Sequence, residues 1–140
     1  MSRALLTRRV TFAAAHRYRR PEWDDARNAA TFGLCARPNY HGHSYVCEVT
    51  VSGNIDPLTG FAVNLGQLDD ILSTEVRERF DHRNINLDVA EFAEGALIPT
   101  GENLAKDIFE RVQSALGGAA RVVEVKLAED ERLSASYRGE

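Results

Sequence analysis

Between positions 35 and 43 the chain reads Cys-Ala-Arg-Pro-Asn-Tyr-His-Gly-His, which places one thiol and two imidazoles within nine residues. In extended backbone a His-x-His pair sends both rings to the same side, because strand side chains alternate with a period of two. His41 and His43 are therefore suited to ligate one metal, and Gly42 between them lets the chain pass close to an ion. A third imidazole, His16, ends an upstream strand face formed by Val10, Phe12 and Ala14. Three histidines with one open position form the pattern of a catalytic zinc rather than a structural one. Cys35 is then a candidate acid/base or nucleophile instead of a fourth ligand. A metal and imidazoles beside it would lower its pKa, although an inert thiol is also compatible with the polar loop around it.

Three further positions carry chemistry. Asp81 and His82 are adjacent, but adjacency alone does not make them hydrogen-bond, and an imidazole near a helix C-terminus is favourable by itself. Glu102 suits the first turn of a helix, where a carboxylate meets the positive end of the dipole. Glu129 continues the strand phase of Val123, Val125 and Leu127, so the phase aims a carboxylate at the core side. Such a group needs a cationic or multiply donating partner, and an amidine-like ligand edge would satisfy it. Cys47 alternates with valines and reads as a small core hydrophobe.

The elements that must position these residues follow from periodicity. Strands are expected around Val10–His16 and from His43 through Tyr45, Cys47, Val49 and Val51 to Gly53-Asn54. Both bring a histidine to one end of the core face. Residues 17–40, rich in Arg, Asp, Asn and Pro, read as a long loop. Asn64 can cap a helix striped by Leu68, Ile71, Leu72, Val76 and Phe80. Asp81-His82 then opens an irregular stretch to Pro99. Thr100 can cap a second helix through Leu104, Ile108, Phe109, Val112 and Leu116, which Gly117-Gly118 ends. A last strand pair runs through Val123, Val125 and Leu127, then Leu133, Ala135 and Tyr137. Strand pairs separated by helices indicate an α+β fold on an antiparallel sheet.

Bulk properties fit one soluble domain over residues 1–140, with 44% hydrophobic and 27% charged residues. A net charge of −4 favours neither nucleic acid nor an anionic membrane as partner. No apolar run approaches the roughly 20 residues of a membrane helix. Leu5-Leu6 is broken at once by Thr7-Arg8-Arg9, unlike a signal-peptide core. Two cysteines, both expected free, suit a reducing compartment, and a cytoplasmic location is expected.

Phe12-Ala13-Ala14-Ala15-His16, the Cys35-to-His43 segment, Asp81-His82-Arg83-Asn84, Pro99-Thr100-Gly101-Glu102-Asn103 and Glu129 together resemble one family. It is that of the 6-pyruvoyl- and 6-carboxy-tetrahydropterin synthases, and the likeness covers nearly the whole chain. The resemblance implies a T-fold: a four-stranded antiparallel sheet with two helices on one face. In that family three such sheets close into a barrel and two trimers stack into a hexamer, with active sites between subunits. It further implies that His16, His41 and His43 hold Zn2+ and that Cys35 is the general acid/base, with Asp81 and His82 as relay partners. Glu129, assisted by Thr100 and Glu102, would anchor the pterin's amino-pyrimidine edge. The implied substrate is 7,8-dihydroneopterin triphosphate. The five residues between Cys35 and His41 match the pyruvoyl-forming branch, whereas the carboxy-forming enzymes of the queuosine pathway usually have fewer. The carboxy product, formed with loss of acetaldehyde, is the close alternative. A non-catalytic pterin-binding protein and an unrelated zinc hydrolase are readings from other classes.

Overall fold

Alternation of Phe12, Ala14 and His16 against Tyr45, Cys47, Val49 and Val51 builds the central strand pair in the computed structural model, which describes residues 2–140. Strand β1 (Arg3–His16) and strand β2 (His41–Asn54) run antiparallel over their full lengths. Their ladder extends from Arg3 opposite Asn54 to His16 opposite His41, with Ala14 opposite His43.

Helix α1 (Asp25–Phe32) lies between them, where a long loop was expected. Its Asp24 carboxylate accepts from the Arg27 N–H at 2.7 Å, and Gly33 ends it at φ +60°. The helix-forming alanines inside this polar stretch explain the difference, given a good cap at each end. A short 3-10 turn, Gly33–Ala36, follows and carries Cys35. Buried Asn28 fastens the segment: its side chain accepts from Arg20 N at 2.8 Å and donates to Arg20 O at 3.0 Å and Asp24 O at 3.1 Å.

After β2 come α2 (Leu65–Leu72), a π-helical turn (Ser73–Arg77) and α3 (Glu78–Phe80). Asn64 caps α2 through the Gln67 N–H at 3.0 Å. The stretch read as irregular contains a two-residue strand, β3 (Arg83–Asn84), the short α4 (Ile85–Asp88) and a 3-10 turn (Ala90–Phe92). Helix α5 (Gly101–Leu116) is capped by Thr100, whose hydroxyl accepts from Asn103 N at 3.1 Å. Strands β4 (Arg121–Ala128) and β5 (Ser134–Tyr137) form the closing hairpin.

Sheet order is β3-β1-β2-β4-β5. Four strands are antiparallel, as expected, and β3 adds a short parallel edge beside Ala14 and Ala15. One detail departs from simple alternation. Val49 pairs with Val125 and Thr50 with Glu124, but Val51 then pairs with Val122. The bulge leaves Val123 as the extra residue, so Val122 takes the buried position expected of Val123. Val125, Leu127 and Glu129 keep the predicted phase.

The helices cover one face of the sheet. Leu68, Leu72, Val76 and Phe80 together with Leu104, Ile108, Val112 and Leu116 bury themselves against Tyr45, Cys47, Val49, Val51, Val125 and Leu127. Each such side chain contributes about 1.5–3 kcal/mol relative to exposure. The opposite face carries Thr7, Arg9, Ser44, Glu48 and Lys126, and among the described residues no helix lies over it. Cys35 and Cys47 are both free, and burial pushes the Cys47 thiol up to about 12. Among the described residues no helix is long and apolar enough to cross a membrane.

Candidate functional site

The β1–β2 ladder carries the imidazoles to one end of the helix-covered face. There the ligand atoms of His16, His41 and His43 lie within 4.8 Å of one another. Ring centroids are 4.7 Å apart for His16 and His41, 5.1 Å for His16 and His43, and 5.0 Å for His41 and His43. The rings meet edge to face, so their nitrogens converge instead of stacking away from a shared centre.

His16 is fully buried, and its Nδ1 is 2.9 Å from the Pro99 carbonyl. A carbonyl only accepts, so Nδ1 bears the proton and Nε2 keeps its lone pair. The Tyr45 hydroxyl braces the same ring, 3.1 Å from Nδ1 and 3.4 Å from Nε2. Burial first, and then the neighbouring His41 and His43, pull the His16 pKa down to about 3. Burial and His43 also lower that of His41. Nε2 of His43 is buried with no hydrogen-bond partner among the described residues. Neutral rings and an orphaned buried nitrogen fit a cation that takes nitrogen ligands. The trio could hold a metal ion.

Glu129 directly follows β4, beside this group. Only 7% exposed, it accepts from the Tyr18 hydroxyl at 3.0 Å and brings Oε2 to 3.6 Å from His43 Nε2. A cavity of about 220 Å³ opens in front of it, walled by Tyr18, Thr100, Glu102, Leu127 and Ala135. The structure therefore gathers Thr100, Glu102 and Glu129 at one cavity. Its carboxylate faces a space where a planar ligand with paired N–H donors would be held from both oxygens.

Cys35 reaches this neighbourhood through the 3-10 turn, held by Tyr18 N donating to the Cys35 carbonyl at 2.8 Å. Its thiol pKa is raised, first by burial and then by the Glu129 carboxylate. The expected lowering is tied to a bound metal and is a separate influence; in the protein alone, burial and a negative charge act on the sulfur.

Asp81 and His82 lie elsewhere. They sit against the outer edge of β1, where Asp81 Oδ1 accepts from Ala13 N at 2.9 Å and His82 N donates to Ala13 O at 2.6 Å. His82 Nδ1 is 3.1 Å from Asp81 Oδ2, so the neighbours do form a dyad. The Ala13 amide is the leading cause holding the Asp81 pKa below the usual carboxylate range. His82 adopts φ +60°, and its side chain, 85% exposed, lines an open groove with Ala13, Gly42 and Ser44 that His43 also borders. Within one chain, and among the described residues, no hydrogen bond joins this dyad to Cys35.

The sequence does not single out Tyr18, because it lies beyond the end of β1 where strand alternation no longer applies, and it places Tyr45 on the core face of β2 without its contact to His16. The Pro99 carbonyl, a backbone group, left no signal in side-chain type.

Comparison with known proteins matches residues 5–140 to the family model described as 6-pyruvoyl tetrahydropterin synthase. A 6-pyruvoyl tetrahydrobiopterin synthase of Drosophila melanogaster is 40% identical over 136 residues, covering 97% of this chain and 80% of that protein. The Homo sapiens protein of the same name is 36% identical over 137 residues, covering 98% and 92%. Caenorhabditis elegans 6-pyruvoyl tetrahydropterin synthase superposes with a TM-score of 0.92 at 33% identity, covering 100% of this chain and 98% of that one.

Proposed function

This chain belongs to the 6-pyruvoyl tetrahydropterin synthase family, and from that premise we propose that it is a zinc-dependent carbon–oxygen lyase. It acts on 7,8-dihydroneopterin triphosphate, eliminates triphosphate and forms 6-pyruvoyl-tetrahydropterin. The observation that carries this reading is the convergence of three imidazoles beside a buried, tyrosine-held carboxylate that faces a cavity. The names of the relatives support the pyruvoyl product over the carboxy one.

Glu129 accepts hydrogen bonds from the amino-pyrimidine edge, with Thr100 and Glu102 at the cavity wall. Tyr18 fixes the Glu129 rotamer, and Leu127 and Ala135 give the ring an apolar wall that excludes water. His16, His41 and His43 would hold the zinc. A zinc ion bound there supplies Lewis-acid polarisation of the substrate's side-chain hydroxyls and positive charge near the Cys35 sulfur. Cys35, as thiolate, removes a side-chain proton, and His82, oriented by Asp81, delivers or shuttles protons. Since the dyad faces outward on the sheet edge, it serves the site of a neighbouring subunit in a homohexamer. Closure of sheets edge to edge also occupies the open backbone groups of β1 and β5.

The test is incubation of the purified zinc-loaded protein with 7,8-dihydroneopterin triphosphate, with triphosphate and acetaldehyde assayed. Triphosphate without acetaldehyde supports the proposal, and acetaldehyde release selects the carboxy branch. Absence of triphosphate refutes both. General acid/base groups contribute typically about 10²–10⁴-fold, so Cys35→Ser should lose activity on that scale while retaining zinc. A zinc hydrolase with no use for the thiol would stay active.

A further inference from the structure

A second cavity, of about 590 Å³, lies between the chain leaving β1 and the α1 segment. Arg17, Arg19 and Arg37 line it, with Asn28, Leu34 and Pro38 completing its wall. Arg17 sends Nη2 to Glu94 Oε2 at 2.8 Å, while its Nε is buried without a hydrogen-bond partner. Its guanidinium stacks over Tyr40, 5.1 Å from the ring centroid. Arg19 contacts Asp25 at 3.0 Å and the same Glu94 at 3.4 Å. Arg37 pairs with no carboxylate among the described residues. Three guanidinium groups thus meet two carboxylates, one of them on the 92% exposed Asp25 side chain, in a chain whose net charge is −4.

The position of this positive excess matters. Arg17 follows His16 directly, Arg37 stands two residues after Cys35, and the Tyr40 under Arg17 precedes His41. The segments that carry His16 and Cys35 therefore also send Arg17 and Arg37 to this cavity. Tyr18 turns to Glu129, while Arg17 and Arg19 on either side of it line the second space.

We propose that this arginine-lined cavity is an oligophosphate subsite that takes the polyphosphate tail of the substrate. The assignment rests on the reading of the protein as a synthase acting on a pterin triphosphate. Guanidinium forks match phosphate oxygens bidentately. Arg37 has no carboxylate partner among the described residues, and Arg17 leaves its Nε without a hydrogen-bond acceptor, so the cluster carries uncompensated positive charge. The same groups that bind the tail in the substrate hold it as the leaving anion after elimination.

Calorimetric titration of the purified protein with inorganic tripolyphosphate tests the assignment, comparing wild type with Arg37→Ala and Arg17→Ala. A charge-assisted hydrogen bond removed from either residue should weaken binding about tenfold or more, and added salt should weaken the wild type. Unphosphorylated 7,8-dihydroneopterin should bind all three proteins equally. Arg37 is exposed and unpaired, so its variant is informative even if Arg17→Ala disturbs folding. No tripolyphosphate binding at millimolar concentration, or equal binding by all three proteins, overturns the subsite. Turnover with wild-type KM in both variants overturns it as well and leaves the synthase reading standing. Arginine-dependent tripolyphosphate binding without any triphosphate release sustains the anion subsite and refutes the synthase reading instead.

Discussion

Acidifying the metal-free protein should remove stability through His16 well before its carboxylates titrate. Its pKa is lowered from 6.5 to about 3, chiefly by burial. In the unfolded chain the ring is solvated and takes a proton near its ordinary value, whereas the folded state keeps it neutral. Below pH 6.5 the unfolded state therefore binds the extra proton, and stability falls with falling pH until the folded ring also titrates near 3. At about pH 5 this linkage amounts to about 2 kcal/mol relative to about pH 7.5. His41 shifts in the same direction and adds to the loss. The depressed carboxylates Asp81, Asp130 and Glu91 lose their contribution only at lower pH, below their ordinary values of 3.8 to 4.5. Urea denaturation at the two pH values reads the effect as a drop of about 1 M in midpoint. A His16→Asn protein, with no titrating ring there, should show a much shallower dependence. Added zinc should raise stability at about pH 7.5 and steepen the acid loss, because every ligating imidazole must first be deprotonated. An equal midpoint drop in wild type and His16→Asn would refute the argument.

Tyr18→Phe removes the donor 3.0 Å from Glu129; pterin affinity, followed by fluorescence on titration with neopterin, should fall about tenfold, since hydrogen bonds to charged groups contribute about 1.5–3 kcal/mol. Zinc content should not change, and unaltered affinity would show that Glu129 needs no such support. Gly53→Ala would place a Cβ 1.9 Å from the Ala62 carbonyl oxygen; the forced backbone shift should cost about 3 kcal/mol in urea denaturation, and a loss near zero would mean the two segments separate freely. If the outward-facing dyad serves a neighbour, Cys35→Ser and His82→Ala subunits, each inactive alone, should regain activity when dissociated and reassembled together. Mixtures as inactive as their components would place dyad and thiol in the same subunit's site.

Much of the candidate site was legible because strand alternation is a rigid rule. Phe12, Ala14 and His16 share a face, as do His43, Tyr45 and Cys47, and the rule delivered the imidazole trio without any knowledge of tertiary packing. It failed at Val123, since a bulge adds one residue and reverses the phase, and nothing in that valine's identity marks it as the extra one. Helix α1 was hidden for a different reason. Polar side chains around Asp24 suggested a loop, yet the cap and the alanines outweigh them once Asn28 satisfies the surrounding backbone. Placement of Asp81 and His82 against Ala13 is a long-range contact that local patterns do not encode. The raised Cys35 pKa likewise depends on burial and on Glu129, which is remote in sequence and near in space.

The unbroken ladder between β1 and β2 has a consequence for how the chain reaches this arrangement. Two long strands offer neighbouring misalignments that retain most backbone hydrogen bonds. Displacement of β1 by one residue would send His16 to the uncovered face while His41 and His43 stayed on the other. Only the correct alignment presents three nitrogens together, so a metal in the folding medium would select against the shifted species and act as a proofreader of strand pairing.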